Sequence, residues 1–361
     1  MSSAIVVGLC FGDEGKARVV DYLAKDFDVG CRWNGGPNAG HTIIVGQQKY
    51  VTHLLPATVL YSNKLSIIGP GVAIDLAVLE RDLIETGAGS LGNNVIIDKN
   101  CPMIEQKHKD ADTGDNPLSK KIGTTGRGVG PCFADQARRS GTRYKDLVDE
   151  PAQADTSAII HHAMKRGKSV LFEGAQGTLL DNIHGTYPFV TSCSTLAGSV
   201  YSSMGVNPSY ISDVYGVFKA YTTRVGNGPF PTELSHQPLT EKLRMAGGEY
   251  GATTGRPRRI GWLDLVELKR ACQLNNVTKL VMTKADVLSG MPAFFVCEAY
   301  EEGFPAYAEV PGWSGDISNI RHYAGFPYNL RKYIARIEDF TGVPIVLIST
   351  GPERQQICRG A

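Results

Sequence analysis

No apolar run in the sequence approaches the roughly 20 residues that a membrane-spanning helix needs, and no basic segment precedes the apolar residues Ala4-Ile5-Val6-Val7. A membrane partner is therefore not expected, and the chain reads as a cytoplasmic protein without an export signal. Charge of one sign is also missing: 37 Lys and Arg stand against 36 Asp and Glu, a net charge of +1, with no sustained basic block. Coating nucleic acid requires clustered cations to neutralise phosphates, so no nucleic-acid partner is expected either. The 8 cysteines, Cys10, Cys31, Cys101, Cys132, Cys193, Cys272, Cys297 and Cys358, include no C-x-x-C pair. That argues against a zinc or redox centre and for buried free thiols. Repeats, linkers and low-complexity segments are lacking too, and residues 1–361 are read as one domain.

What the sequence does contain is 42% hydrophobic residues, enough for a large core. They form short β-branched runs that alternate with amphipathic stretches. Residues 4–9 precede a helical pattern over 16–27, 64–69 precede 75–86, and 169–173 follow 153–166. Near the end, 262–274 lead into 277–284 and 330–340 into 343–349. Strand and helix in repeated alternation predict an α/β fold, a large and mostly parallel central sheet with helices on both faces. Three segments rich in glycine and polar residues, 34–42, 110–141 and 224–259, break the rhythm and are too long for turns. They are expected to be active-site loops at the carboxyl ends of strands.

The first strand runs into Cys10-Phe11-Gly12-Asp13-Glu14-Gly15-Lys16 and then a helical pattern. Glycines that let backbone N–H groups approach a ligand, with a lysine at a helix N-terminus, form a phosphate cradle. It is not a Walker A loop, because Cys10 stands where that motif needs glycine and Ala17 where it needs Ser or Thr. Two carboxylates aimed at polyphosphate would repel it, so Asp13 and Glu14 admit two readings. Either Mg²⁺ intervenes near Asp13 or one acid does proton chemistry; or both acids cap the helix that follows. A second loop, Asn34-Gly35-Gly36-Pro37-Asn38-Ala39-Gly40-His41-Thr42, ends in a histidine. Set among Gly and Asn it has little core to belong to, and His41 reads as a general acid or as a donor to developing negative charge.

These two segments resemble the signature loops of the adenylosuccinate synthetase family. The similarity continues through Ile122-Gly123-Thr124-Thr125-Gly126-Arg127-Gly128, Phe172-Glu173-Gly174-Ala175-Gln176-Gly177-Thr178 and Gly185-Thr186-Tyr187-Pro188-Phe189-Val190-Thr191-Ser192. It reaches Thr223-Arg224-Val225-Gly226-Asn227-Gly228-Pro229-Phe230-Pro231-Thr232-Glu233, Gly251-Ala252-Thr253-Thr254-Gly255-Arg256-Pro257-Arg258-Arg259, Thr283-Lys284-Ala285-Asp286 and Ser349-Thr350-Gly351-Pro352. The resemblance implies a ligase that joins L-aspartate to C6 of a 6-oxopurine nucleoside 5'-monophosphate, using Mg²⁺ and a nucleoside triphosphate. O6 is first phosphorylated, and the aspartate amine then displaces phosphate.

By the same resemblance Asp13 takes the purine N1 proton and, with the Gly40 carbonyl, binds Mg²⁺, while His41 and Lys16 support phosphoryl transfer. The monophosphate falls to Asn38, Thr125, Gln176, Thr191, Val225, Asn227 and Arg256, with Arg139 reaching in from the second subunit of a homodimer. L-Aspartate falls to Thr253, Thr254 and Arg258. The triphosphate, GTP or else ATP or dATP, falls to Gly12, Gly15, Lys16, Gly40, Thr42, Lys284, Asp286, Ser349 and Gly351.

Some features depart from the family pattern. The chain is shorter than the cellular bacterial members it resembles, with little between Arg139 and Glu173. Compact members occur in archaea and in phages, and some phage members act on dGMP to supply 2-aminoadenine. Asn227 stands where the family usually has Ala or Ser, and an amide oxygen there can accept from the guanine 2-amino group that IMP lacks. Chain length and Asn227 together favour a phage-type enzyme that turns dGMP into 2-amino-2'-deoxyadenylosuccinate, with IMP to adenylosuccinate as the alternative. Ala17 and Arg18 replace a usual Gly-Lys, and Cys10-Phe11 a usual Gln-Trp. Two rivals come from other classes. A GTP-binding regulatory switch would share the T-K-x-D segment, but Asp13 with His41 and the missing Walker A Ser or Thr oppose it. A catalytically silent binding module is opposed by the intact Asp13, His41, Lys16 and Arg258.

Overall fold

The computed structural model describes residues 3–88, 94–113, 115–148, 153–251 and 255–360. In chain order its strands begin with β1 (Ser3–Gly8), β2 (Val29–Arg32), β3 (His41–Val45), β4 (Gln48–Thr52), β5 (Leu65–Ile68), β6 (Val95–Asp98), β7 (Gln153–Ala154) and β8 (Val170–Glu173). They continue with β9 (Ile211–Lys219), β10 (Thr222–Arg224), β11 (Arg259–Gly261), β12 (Leu263–Asp264), β13 (Lys279–Thr283), β14 (Ala293–Glu301), β15 (Phe304–Pro311), β16 (Ile345–Ser349) and β17 (Ile357–Arg359). One ten-stranded sheet has the order β17-β16-β13-β9-β1-β8-β2-β5-β6-β7. Its neighbours are all parallel except β16 with the edge strand β17.

The pattern of β1 explains this architecture. Ile5, Val7 and Leu9 join one apolar core, and Ala4 and Val6 join another. The first core receives the helices Thr156–Lys165, Leu265–Asn275 and Tyr328–Thr341 through Ile160, Leu268 and Ile337. The second receives Lys16–Ala24 through Val19, Val20 and Leu23. A strand buried on both faces belongs to a parallel sheet with helices on either side, as the alternation in the sequence predicted.

Helices also occupy much of what reads as loop. Pro117–Ile122 and Val129–Arg138 lie within 110–141, and Gln237–Gly247 within 224–259. Left-handed residues bound them: Gly123 ends the first, Gly128 opens and Arg139 closes the second, and Gly248 ends the third. Some of the glycines that suggested loops, Gly123, Gly128 and Gly248, are helix boundaries. Residues 153 and 154, expected to begin a helix, form the edge strand β7 instead.

From β1 the chain passes to β2 beyond β8 on one side, while β9 flanks β1 on the other. Such a reversal leaves a crevice outside the carboxyl ends of the strands, where open α/β sheets bind ligands. The segments after β1, β2, β8, β9 and β13 all open there.

A buried carboxylate ties the periphery to this crevice. Asp82, in the helix Leu76–Thr86, is fully buried and accepts the backbone N–H groups of His53, Leu54 and Leu55 at 2.7, 2.7 and 3.3 Å. It also faces His53 Nδ1 at 3.2 Å, and the His53 carbonyl accepts from Arg32 Nη1 at 2.6 Å. Burial opposes ionisation of Asp82, but the His53 side chain and these N–H groups hold its carboxyl below the ordinary range. Because the folded-state value is depressed, the stability it contributes is present above the unfolded value and is lost as pH falls through the folded one. Asp82→Ala is expected to cost roughly 3 kcal/mol in urea unfolding at pH 7 and to flatten the acid side of the stability profile. A loss under about 1 kcal/mol would show that this carboxylate anchors nothing.

Candidate functional site

The phosphate loop is built over a carboxylate turned inward. Between β1 and the helix Lys16–Ala24, Gly12, Asp13 and Gly15 take φ values of 83°, 59° and 90°, the left-handed region that glycine enters freely. On this path Glu14 folds beneath the loop. Its Oε1 accepts the N–H groups of Cys10 and Gly12 at 3.1 and 2.8 Å, and its Oε2 pairs with Lys16 Nζ at 2.7 Å. Glu14 therefore neither faces polyphosphate nor caps the helix, which corrects both sequence readings of it. The cap position is Gly15, without a side-chain cap, so the first N–H groups of the helix remain for a ligand. A Cβ at Gly8 would lie 2.4 Å from Glu14 Oε2, and one at Gly177 would lie 2.3 Å from the Cys10 carbonyl. Glycine at both positions lets the 172–178 motif close against the loop.

His41 opens β3 and is buried, against the expectation that its Gly/Asn loop leaves it without a core. Its Nδ1 contacts Glu173 Oε1, and Glu173 Oε2 accepts the Ala57 N–H at 2.7 Å. The parallel register sets the fully buried Arg32, at the end of β2, beside Glu173, at the end of β8. Burial opposes ionisation of Glu173, but His41 and then Arg32 hold its carboxyl below the ordinary range. Burial and Arg32 in turn lower the His41 imidazole in spite of Glu173. A carboxylate has no proton to give, so neutral His41 carries its proton on Nδ1 and keeps Nε2 as an acceptor. Sequence reasoning missed Glu173 as a site residue; the only signal was an acid ending an apolar strand ahead of Gly174-Ala175.

Asp13 and Arg258, assigned to base and aspartate binding, meet directly: Arg258 Nε donates to Asp13 Oδ2 at 2.7 Å. Gln176, at φ 60°, donates from Nε2 to Asn38 Oδ1 at 3.1 Å, while its Oε1 is buried without a partner. Two residues assigned to the monophosphate are thus brought together. Asp112 pins the turn that carries Thr125, taking Thr124 Oγ1 and the Gly128 N–H, both at 2.9 Å. Thr42 lies half-buried on β3 beside His41, Gly40 just ahead of it, and Thr191 and Val225 are half-buried in their own loops. Arg139 is exposed at the end of its helix, and Arg256 is exposed next to Pro257. Thr253 and Thr254 lie outside the described residues.

Two further arginines organise the loops. Arg224 is buried and donates to the carbonyls of Asn227, Pro229 and Phe189 at 3.1, 2.7 and 3.0 Å, with its guanidinium 4.3 Å from the Phe11 ring centroid. Burial, and then Arg259, push it down to about 10. Arg18 bonds Ser349 Oγ and the carbonyls of Glu353 and Gln356, fastening the phosphate-loop helix to the loop that holds Gly351. Lys284 gives its Nζ to the Gly247 carbonyl at 2.6 Å, and burial raises the carboxyl of Asp286.

Asn227 is engaged through its nitrogens. Its Nδ2 donates to the carbonyls of Lys120 and Lys121 at 3.3 and 3.1 Å, and its backbone N–H to Ile122 O at 3.3 Å. The amide nitrogen clasps one loop to the helix Pro117–Ile122.

A crevice of this kind, with a phosphate-loop helix that no side chain caps among the described residues and with acid, imidazole and guanidinium gathered at the strand ends, defines an α/β enzyme of nucleotide phosphoryl transfer. The family profile for adenylosuccinate synthetase matches residues 5–154 and 149–358, and the chain belongs to that family. It is a nucleoside-triphosphate-dependent ligase of purine nucleotide and aspartate, and the regulatory-switch reading is set aside. The adenylosuccinate synthetase of Trichlorobacter lovleyi is 41% identical over 422 positions, covering 99% of this chain and 98% of the relative. That of Thermodesulfovibrio yellowstonii is 41% identical over 421 positions with the same coverage. The fully ligated adenylosuccinate synthetase of Plasmodium falciparum superposes with a TM-score of 0.94 at 33% identity over 100% of both chains. The succinoaminodeoxyadenylate synthetase of cyanophage S-2L, bound to dGMP and dATP, superposes with a TM-score of 0.76 at 21% identity, over 99% of this chain and 95% of that one. That second likeness is one of fold, and a phage origin gains no support from these relatives. The matches to the profile meet at residues 149–154, within the segment where the chain is short.

Glu173→Gln removes the counter-charge of His41 while keeping its size. It is expected to lower kcat of the ligase reaction roughly 100-fold with little change in nucleotide KM. A kcat within about twofold of wild type would detach His41 from Glu173.

Proposed function

We propose that the chain converts IMP and L-aspartate to adenylosuccinate with GTP as phosphate donor, in the cytoplasm and as a homodimer. The observation that carries this reading is the meeting of Asp13 with Arg258 at the phosphate loop, which sets a carboxylate base beside the aspartate loop. Relatives at 41% identity are named adenylosuccinate synthetase, whereas the dGMP-bound phage enzyme shares only the fold. Asn227, the residue that favoured dGMP, spends its amide hydrogens on Lys120 and Lys121.

The amide-like O6 is a poor nucleophile until N1–H is lost. Asp13 takes that proton, O6 attacks the γ-phosphorus as its bond to the bridging oxygen breaks and GDP leaves, and the aspartate amine then displaces phosphate from C6, losing a proton as the C–N bond forms. Lys16, held by Glu14, and His41, held by Glu173, meet the charge that builds on the transferring group. To donate from Nε2, His41 has to become an imidazolium. The negative charge of the triphosphate favours that form, with Glu173 as counter-ion.

Asn38, Thr125, Gln176, Thr191, Val225 and Arg256 would hold the monophosphate, with Arg139 of a second subunit, and Thr253, Thr254 and Arg258 the aspartate. Gly12, Gly15, Gly40, Thr42, Lys284, Asp286, Ser349 and Gly351 would hold the triphosphate. The Asp13 carboxylate and the Gly40 carbonyl are hard oxygen donors that fit Mg²⁺. Among the described residues no three His, Cys, Asp or Glu side chains gather as a metal cage, which suits an ion that takes its other ligands from phosphate and water. Bound there, Mg²⁺ would neutralise phosphate charge.

With L-aspartate, Mg²⁺ and GTP, product is expected from IMP and not from dGMP; succinylated product from dGMP alone would reverse the assignment. Asp13→Ala is expected to lower kcat about a thousandfold. Mixing Asp13→Ala with Arg139→Leu subunits, each nearly inactive alone, should restore roughly a quarter of wild-type activity if the site is shared across a two-fold dimer. No restoration would place Arg139 outside the partner's site.

A further inference from the structure

Beyond the helix Gln237–Gly247, Gly248 takes the left-handed conformation and the next residue, Glu249, is fully buried. Four hydrogen bonds meet its carboxylate. Lys219 Nζ, at the end of β9, donates to Oε1 and Oε2 at 2.9 and 2.8 Å, the Tyr221 hydroxyl to Oε1 at 2.5 Å, and Arg258 Nη1 to Oε2 at 2.6 Å. Burial opposes ionisation, but Lys219 and then Arg258 hold the carboxyl down at about 2. The backbone repeats the link: the Arg258 N–H donates to the Glu249 carbonyl at 2.9 Å, and Tyr250 bridges Pro257. Glu249 and Arg258 therefore close the neck of residues 250–257, and the side-chain bond decides which way Arg258 points.

We propose that Glu249, braced by Lys219 and Tyr221, is the positioning residue that sets Arg258 between the Asp13 carboxylate and the incoming L-aspartate. The proposal rests on the function proposed above and names a residue outside the substrate contacts. A guanidinium gripped at Nη1 keeps a fixed plane, with Nε on Asp13 and the remaining edge turned to a second carboxylate. Without the Glu249 charge, the buried cations Lys219 and Arg258 face each other with Asp13 alone opposing them, and their repulsion drives Arg258 out of line. Among the described residues Lys219 bonds no other carboxylate, its third hydrogen bond going to Thr223 Oγ1 at 2.7 Å.

Steady-state kinetics with IMP, GTP, Mg²⁺ and L-aspartate test this. Glu249→Gln is expected to raise KM for L-aspartate roughly tenfold or more while KM for IMP and for GTP stays within about twofold. Glu249→Asp, which keeps the charge, is expected to recover part of that loss. The double variant Lys219→Met with Glu249→Leu replaces the buried pair by apolar groups of similar shape and should fold, yet show the same raised aspartate KM. An aspartate KM at the wild-type value in Glu249→Gln, or in the double variant if the single one does not fold, overturns the proposal. So does a fall in Tm and kcat with all three KM values moving together, the mark of a purely structural role. A wild-type protein that forms no succinylated nucleotide overturns the functional reading itself; wild-type turnover with an unmoved aspartate KM overturns only the role of Glu249.

Discussion

The site depends on one carboxylate that no substrate need touch. Glu14 gathers the N–H groups of Cys10 and Gly12 and the ammonium of Lys16 under the phosphate loop. Charge-assisted bonds in a buried setting are short and directional, so the loop has one path and not several. The left-handed turns at Gly12, Asp13 and Gly15 follow from that path. So does the close approach of Gly8 and Gly177, which brings the end of β8 against the loop and, with it, Glu173 and Gln176. Thr283, at the end of β13, donates to the Glu14 carbonyl at 2.7 Å and fastens the donor-base segment to the same point.

Around this frame the reactive groups stand in balanced pairs. His41 has Glu173, Lys16 has Glu14, Arg258 has both Asp13 and Glu249, and Lys219 has Glu249. Desolvating such pairs costs about as much as their attraction returns, so they are a poor source of stability. What they supply is fixed orientation of charge toward the place where phosphoryl transfer will develop it, without reorganisation during the reaction. A fold this well stocked with apolar contacts on both faces of its sheet can carry that cost.

The sequence made the sheet and the chemistry legible for different reasons. Two-sided burial leaves near-continuous apolar runs such as Ala4-Ile5-Val6-Val7, and these can be read without tertiary knowledge. The loops could be recognised because glycine and polar residues sit in fixed order. Direction could not be read. Glu14 and Asp13 are adjacent acids in one loop, yet one points beneath it to Cys10, Gly12 and Lys16 and the other meets Arg258 from far along the chain. Glu173 was invisible as a site residue because its partners His41 and Ala57 lie far away in the chain, and Arg224 and Glu249 because nothing in the sequence shows that they turn inward. Glycines in 110–141 misled in the opposite sense, because a helix boundary and a loop use the same residue for the same backbone freedom.

Two features of the sequence suggested dGMP, an asparagine and a short chain. Asn227 is occupied as a clasp on the carbonyls of Lys120 and Lys121. The two family matches overlap at residues 149–154, of which Gln153 and Ala154 form the edge strand β7. Five steps across the sheet separate β7 from β1, and at about 4.8 Å per step that strand lies roughly 24 Å from the one that leads into the phosphate loop. Sheet edges absorb insertions and deletions because few strand partners depend on them, whereas the strands flanking β1 are held in register on both sides. Length is therefore set at one end of the sheet and chemistry at its centre, and a compact member of the family can keep the substrate of its longer relatives.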